Sequence, residues 1–393
     1  MYYTRGERDP EPEIGNLTTL EGGGNGLRTW FRGRAALHAP DQAAMMAPGA
    51  VDAHVLHGWA PSAPRIDRTT HVTAFGSCFA AHITRWLAAR NYRVSAADAE
   101  AQRTYVVRIG EGLVNSFVIR QQFEWAWERR GSAPPRWQAD GAALPDDDAD
   151  IQRRTRALFD RTDVFILTFG LSEVWYDKPT GEVFWRTIPK AAYDPSRHGF
   201  RVSTVEENRE NIEAIYRLIR RHRPKATIIV TLSPVPLIAT FRDTSCITSN
   251  TVSKSVLRVA LDEALRRHKS AGYLFYWPSY ELVTDVFGSP FKADRRHLPR
   301  SVLDFIMNQF ERTWCSPEAA DGLQPLDEAY LQALAASRIL PPRLDRAVRK
   351  RHIDVLRRHT LPEKLSPDPQ LGAAMAALVR GVADRWDRER LAS

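Results

Sequence analysis

Cysteine is scarce in this chain. Cys78, Cys246 and Cys315 are the only three among 393 residues. An odd, small number excludes a disulfide framework and fits a reducing compartment. The chain has no CxxC pair, no HExxH and no His/Cys cluster at ligand spacing, so neither a structural metal nor a cofactor is expected. No run approaches the roughly 20 apolar residues of a membrane span, so no membrane partner is expected. The first residues, MYYTRGERDPEPEIG, lack the apolar segment of a secretory signal. These absences together predict a cytoplasmic protein. Nothing in the sequence fixes an oligomeric state.

What is present is the composition of a globular protein, 43% hydrophobic and 10% aromatic. The net charge is +8. The arginines are scattered rather than interleaved with aromatics, apart from a concentration at Arg343–Arg358. They read as solvated helix faces rather than a nucleic-acid surface.

Residues 1–69 are rich in Gly, Pro and charge, and predict an irregular N-terminal extension. Gly22-Gly23-Gly24-Asn25-Gly26 has no preceding strand and no following Lys-Ser/Thr, so it reads as a turn rather than a phosphate loop. From about residue 70, short apolar runs alternate with helical patterns. Thr70–Phe75, Tyr92–Ser95, Asp163–Phe169, Ala226–Leu232 and Tyr273–Trp277 read as strands. Helices are predicted after Gly76, over Phe117–Arg130, from the Thr204/Glu207 capping box, over Val252–Ser270 and over Arg300–Trp314. This alternation predicts a three-layer α/β/α domain over 70–314, with a parallel sheet of about five strands. Residues 315–393 read as a basic helical C-terminal extension.

In open parallel sheets, ligands bind beyond the carboxyl ends of the strands. The first such loop is Gly76-Ser77-Cys78, between a strand and a helix. A nucleophile there meets backbone N–H groups and the positive end of the helix. A thiol in that setting has its pKa lowered from about 8.5. The last such loop carries Asp294-Arg295-Arg296-His297. An Asp three residues before a His can orient one ring nitrogen and leave the other to act as a base.

Phe75-Gly76-Ser77-Cys78-Phe79-Ala80 resembles the signature of the GSCFA family, within the broader SGNH, or GDSL-like, hydrolase group. Thr168–Trp175, Ser233–Leu237, Ser253–Arg258, Pro278–Glu281 and Asp294-x-x-His297 resemble later blocks in the right order. Asn115-Ser116 falls where the block after the second strand lies. The resemblance implies a flavodoxin-like fold and a Cys (or Ser)/His/Asp centre. Aligned without a gap to the group's Gly-Asp-Ser, Gly76 matches Gly, Ser77 matches Asp and Cys78 matches the nucleophilic Ser. Cys78 is the preferred nucleophile and Ser77 the alternative. The group's Gly-x-Asn-Asp becomes Gly170-Leu171-Ser172-Glu173, so the usual oxyanion-binding Asn is replaced by Ser172.

The oxyanion and substrate-binding set is then Gly76, Asn115, Gly170, Ser172 and Glu173. The resemblance implies an acyl hydrolase or esterase acting on an ester or thioester, with a small-molecule or carbohydrate acyl substrate. An acyltransferase is the alternative, and a degenerate binding module a second one. Plainer expectations attach to the remaining residues. His82 is expected at the surface and His198 exposed. Tyr280-Glu281 cap a helix or line a pocket. Ser253-Lys254 open a helix and could bind an anion. Trp175, Tyr176, Phe184 and Trp185 form either a substrate pocket or a lid core.

Overall fold

A computed structural model describes residues 49–108, 112–128, 149–185, 188–288 and 290–316, with 18–19, 28–29, 37 and 39–45 near the N-terminus. The expected glycine-rich turn at 22–26 and nearly all of the C-terminal extension lie outside the described residues. The chain divides into a unit Met1–Met45 and a unit Met46–Ser393. In the first, Thr18–Thr19 pairs antiparallel with Arg28–Thr29. The residues before the sheet belong to the second unit because Leu56 and Ile66 are buried there, and Arg65 and Ile66 donate backbone hydrogen bonds to Trp314.

In the second unit, β1 (Val72–Phe75), β2 (Val164–Phe169), β5 (Thr227–Leu232) and β6 (Leu274–Trp277) form one parallel sheet in the order β1-β2-β5-β6. The expected strand at Tyr92–Ser95 is reduced to one parallel bridge, Val94 to Val72, outside β1. Its next residues, Ser95–Ala97, turn into a 3-10 helix before a ladder can extend. The chain thus steps to the outside of β1 and returns to β2 on the other side, so strand direction of travel reverses at the β1/β2 crevice. That is where a parallel sheet leaves an opening for a ligand.

Every residue of β2 and β5 is buried, as a strand covered on both faces requires. Side chains alternate between the two layers with period two. In β6, Phe275 and Trp277 face α7 (Arg300–Trp314) and meet Trp314 and Phe310 edge-on. Leu274 and Tyr276 join the opposite core. There Phe75 and Phe165 pack with Phe123 and Trp127 of α2 (Ser116–Glu128) and Phe159 of α3 (Ala149–Arg161). Next to α2 lies α4 (Val205–His222), and beside it α5 (Cys246–His268). On the other face α1 (Cys78–Ala88) contacts α7, as does α6 (Ser279–Val286). These layers form a three-layer α/β/α fold.

Three elements differ from expectation. α3 was not expected from the sequence, because its exposed face is dense in arginine and aspartate. α5 begins at Cys246, capped by the Ser245 hydroxyl, rather than at Val252. The long loop after β2 contains an antiparallel hairpin of β3 (Glu173–Asp177) and β4 (His198–Val202). Among the described residues, no helix is long and apolar enough to cross a membrane.

Candidate active site

Two of the segments singled out in the sequence lie at the carboxyl edge of the sheet, after β1 and after β6. Gly76 ends β1 with φ of 123°. A Cβ there would overlap the Thr168 carbonyl of β2, so only glycine lets the two strand ends approach. The close approach lies at the β1/β2 crevice. Ser77 is the N-cap of α1, in extended conformation, and its buried hydroxyl accepts from the Phe79 N–H at 3.1 Å. Cys78 is the first helical residue and is half-buried. The serine oxygen is therefore engaged in holding the turn, while the thiol stands at the helix N-terminus. Ser77→Ala removes one cap and is expected to cost about 1 kcal/mol, read by denaturant unfolding. No disulfide joins the three cysteines.

Between α6 and α7, the chain makes a tight turn with Arg295 in left-handed conformation, φ 56°. One oxygen of Asp294 accepts from the N–H groups of Arg296 (3.0 Å) and His297 (2.9 Å). The other lies 2.6 Å from His297 Nδ1. A single carboxylate thus fixes both the turn and the imidazole, and leaves Nε2 pointing away from it. These hydrogen bonds, the one to His297 foremost, hold the Asp294 carboxyl well below the usual carboxylate range.

His82 lies one turn after Cys78 on α1. It is not a plain surface residue: it is partly buried, and burial lowers its pKa to about 4, aided by Arg85, His297 and Lys292. His297 is thus within electrostatic reach of the helix that carries Cys78. A histidine neutral in the folded state but basic near 6.5 when unfolded takes up a proton only on unfolding between those values. Stability should therefore fall as pH drops from about 6.5 to about 4. The loss, discounted for the partial exposure of the ring, is about 1–2 kcal/mol. Melting temperature against pH should show it in wild type and not in His82→Gln.

The remaining candidates divide. Asn115 caps α2: its Oδ1 accepts from Val118 N–H at 3.0 Å, and among the described residues nothing accepts from its Nδ2. Gly170, at the end of β2, donates to the Val114 carbonyl at 2.7 Å, so the Asn115 segment and the β2 end are joined. Ser172 does not fit the role expected of it. It is fully buried, its N–H donates to Ser253 Oγ at 2.9 Å, and its own hydroxyl is enclosed without a partner among the described residues. The hairpin folds over it: Ser203 donates to its carbonyl through both N–H and Oγ. Glu173 accepts from Thr240 at 2.9 Å and joins the hairpin to the loop after β5; burial raises its pKa.

Other expectations are corrected. His198 is buried, not exposed, because it sits in β4 and accepts from Asp194 N–H. Glu281 accepts from Arg258 of α5 at 2.7 Å and from Tyr276 rather than capping α6. Ser253 and Lys254 lie inside α5 rather than at its start, and both are buried. Of the aromatic residues, Phe184 and Trp185 are buried. Trp175 instead meets Tyr193 and Phe241, both exposed, in a surface cluster. Among the described residues no group of three or more His, Cys, Asp or Glu could hold a metal ion.

The fold and this edge define an α/β protein with a thiol at the first strand-to-helix turn and an Asp–His pair not in the last such turn, as expected, but in the loop between α6 and α7, because α6 follows β6 directly. The GSCFA family model matches residues 71–310, more than half of the chain, and the protein belongs to that family. No curated protein matches it.

Proposed function

We propose that the protein is an acyl hydrolase or esterase of the SGNH type, with Cys78 as nucleophile and His297, oriented by Asp294, as base. The observation that carries this reading is the Asp294–His297 contact of 2.6 Å, formed at the same sheet edge as a thiol on the first residue of a helix. The Cys78 sulfur attacks the carbonyl carbon of an ester or thioester, and His297 Nε2 takes the thiol proton. The tetrahedral oxyanion is held by the Cys78 N–H and Asn115 Nδ2. The bond to the leaving oxygen or sulfur breaks as His297 returns the proton to it. Water, activated by the same histidine, then attacks the acyl-cysteine and restores the thiol. If a substrate hydroxyl replaces water, the activity is acyl transfer. The resemblance to SGNH enzymes favours small acyl esters or acylated carbohydrates.

The preference for Cys78 over Ser77 rests on the cap: attack by Ser77 would require its oxygen to leave the Phe79 N–H. Intact-mass analysis with a short-chain activated ester and a thioester tests the reading. An acyl adduct is expected on wild type and on Ser77→Ala, and none on Cys78→Ala. An adduct that survives Cys78→Ala but not Ser77→Ala moves the nucleophile to Ser77. The absence of an adduct on every form, wild type included, favours a binding module.

A further inference from the structure

Among the described residues, Lys254 is the one buried lysine or arginine, and the proposed reaction leaves it without a role. Its side chain comes from the third turn of α5 and is buried. Its Nζ donates to the carbonyls of Gly170 (2.9 Å), Ser233 (2.8 Å) and Val235 (2.8 Å). An ammonium has three N–H donors, so all three are used. That excludes the anion-binding role considered from the sequence, because no donor remains for a ligand. Two of the carbonyls precede prolines, in Ser233-Pro234 and Val235-Pro236. The neighbouring Ser253 takes the Ser172 N–H. Adjacent residues of one helix therefore hold the loops after β2 and after β5.

We propose that Lys254 is a positioning residue: through Gly170 it pins the β2 end whose Thr168 carbonyl meets Gly76, two residues before Cys78, and its ammonium favours the Cys78 thiolate. Three inward carbonyls require a protonated amine, since a neutral one would turn a lone pair toward a carbonyl oxygen. The alternative, a purely structural clamp, would not affect the thiol. Burial lowers the Lys254 pKa, the Cys78 sulfur raises it and Arg296 lowers it, for a net value of about 7. Such a coupling is reciprocal: whatever the thiolate does for the ammonium, the ammonium does for the thiolate. Among the described residues, the charged or titratable groups at this edge include Arg296 facing Lys254, and Arg85, Lys292 and His297 around His82, with Asp294 bound to His297.

The inference rests on Cys78 as the functional nucleophile, and its test reads the thiol rather than turnover. Alkylation of the full chain by iodoacetamide is followed against pH, with the Cys78 peptide resolved by mass so that Cys246 and Cys315 do not contribute. The midpoint for Cys78 should rise by about one pH unit in Lys254→Met, and Lys254→Arg should restore most of it. An unchanged midpoint in a folded Lys254→Met overturns the proposal, even if wild type turns over esters. A shifted midpoint in a protein that turns over nothing sustains it and removes the acyl-transfer reading instead.

If Lys254→Met does not fold, wild type is compared with Cys78→Ala. A thiol ionised more readily in the folded than in the unfolded chain makes the wild-type melting temperature gain on the variant as pH rises toward about 8.5. Parallel curves would overturn the proposal.

Discussion

Gly76→Ala should destabilise the fold by about 4 kcal/mol or prevent its accumulation. Two costs combine. The backbone at φ 123° is one that side chains with a Cβ rarely adopt, worth about 1–3 kcal/mol. The added carbon also overlaps the Thr168 carbonyl, which belongs to a fully buried strand and cannot yield as a flexible side chain would. Forcing a methyl into packed surroundings costs about a further 1–3 kcal/mol. Guanidinium unfolding measures the sum. A variant within about 1 kcal/mol of wild type would show that the β1 and β2 ends can separate at little cost. The crevice at the switch point would then be far softer than this geometry implies.

The second large effect concerns turnover. Asp294→Asn should lower kcat for an ester or thioester by about 10³–10⁴-fold, close to the loss in His297→Ala. The asparagine can still be placed within reach of Nδ1, but it carries no charge to stabilise an imidazolium and can favour the wrong tautomer. Because Asp294 is solvent-exposed, neither variant should unfold, and melting temperatures close to wild type are the control. A loss below tenfold in Asp294→Asn with a large loss in His297→Ala would assign the carboxylate to the turn alone, through its bonds to the Arg296 and His297 N–H groups. The double variant should cost little more than either single one if the two residues act as a unit.

The sequence by itself determined the scaffold and the two chemical segments at its edge. The continuous apolar runs of β2 and β5 could be satisfied only by burial on both faces, so a covered parallel sheet followed from local pattern. Gly76-Ser77-Cys78 was legible because a strand, a glycine and a small capping residue specify a turn into a helix. Asp294-x-x-His297 was legible because a carboxylate three residues from an imidazole can close a local ring of hydrogen bonds. Local patterns failed where the deciding contact was distant in sequence.

Ser172 has the composition of a donor, yet the hairpin that encloses it closes through Ser203, and its N–H is taken by Ser253, 81 residues away. His198 has the composition of an exposed loop residue and became a buried strand residue once β3 and β4 paired. Lys254 sits in a helix whose sequence pattern does not mark it as buried, and its three acceptors come from two loops outside that helix. Burial of a charge and orientation of a carbonyl are properties of the assembled surroundings, so only the tertiary structure could decide them.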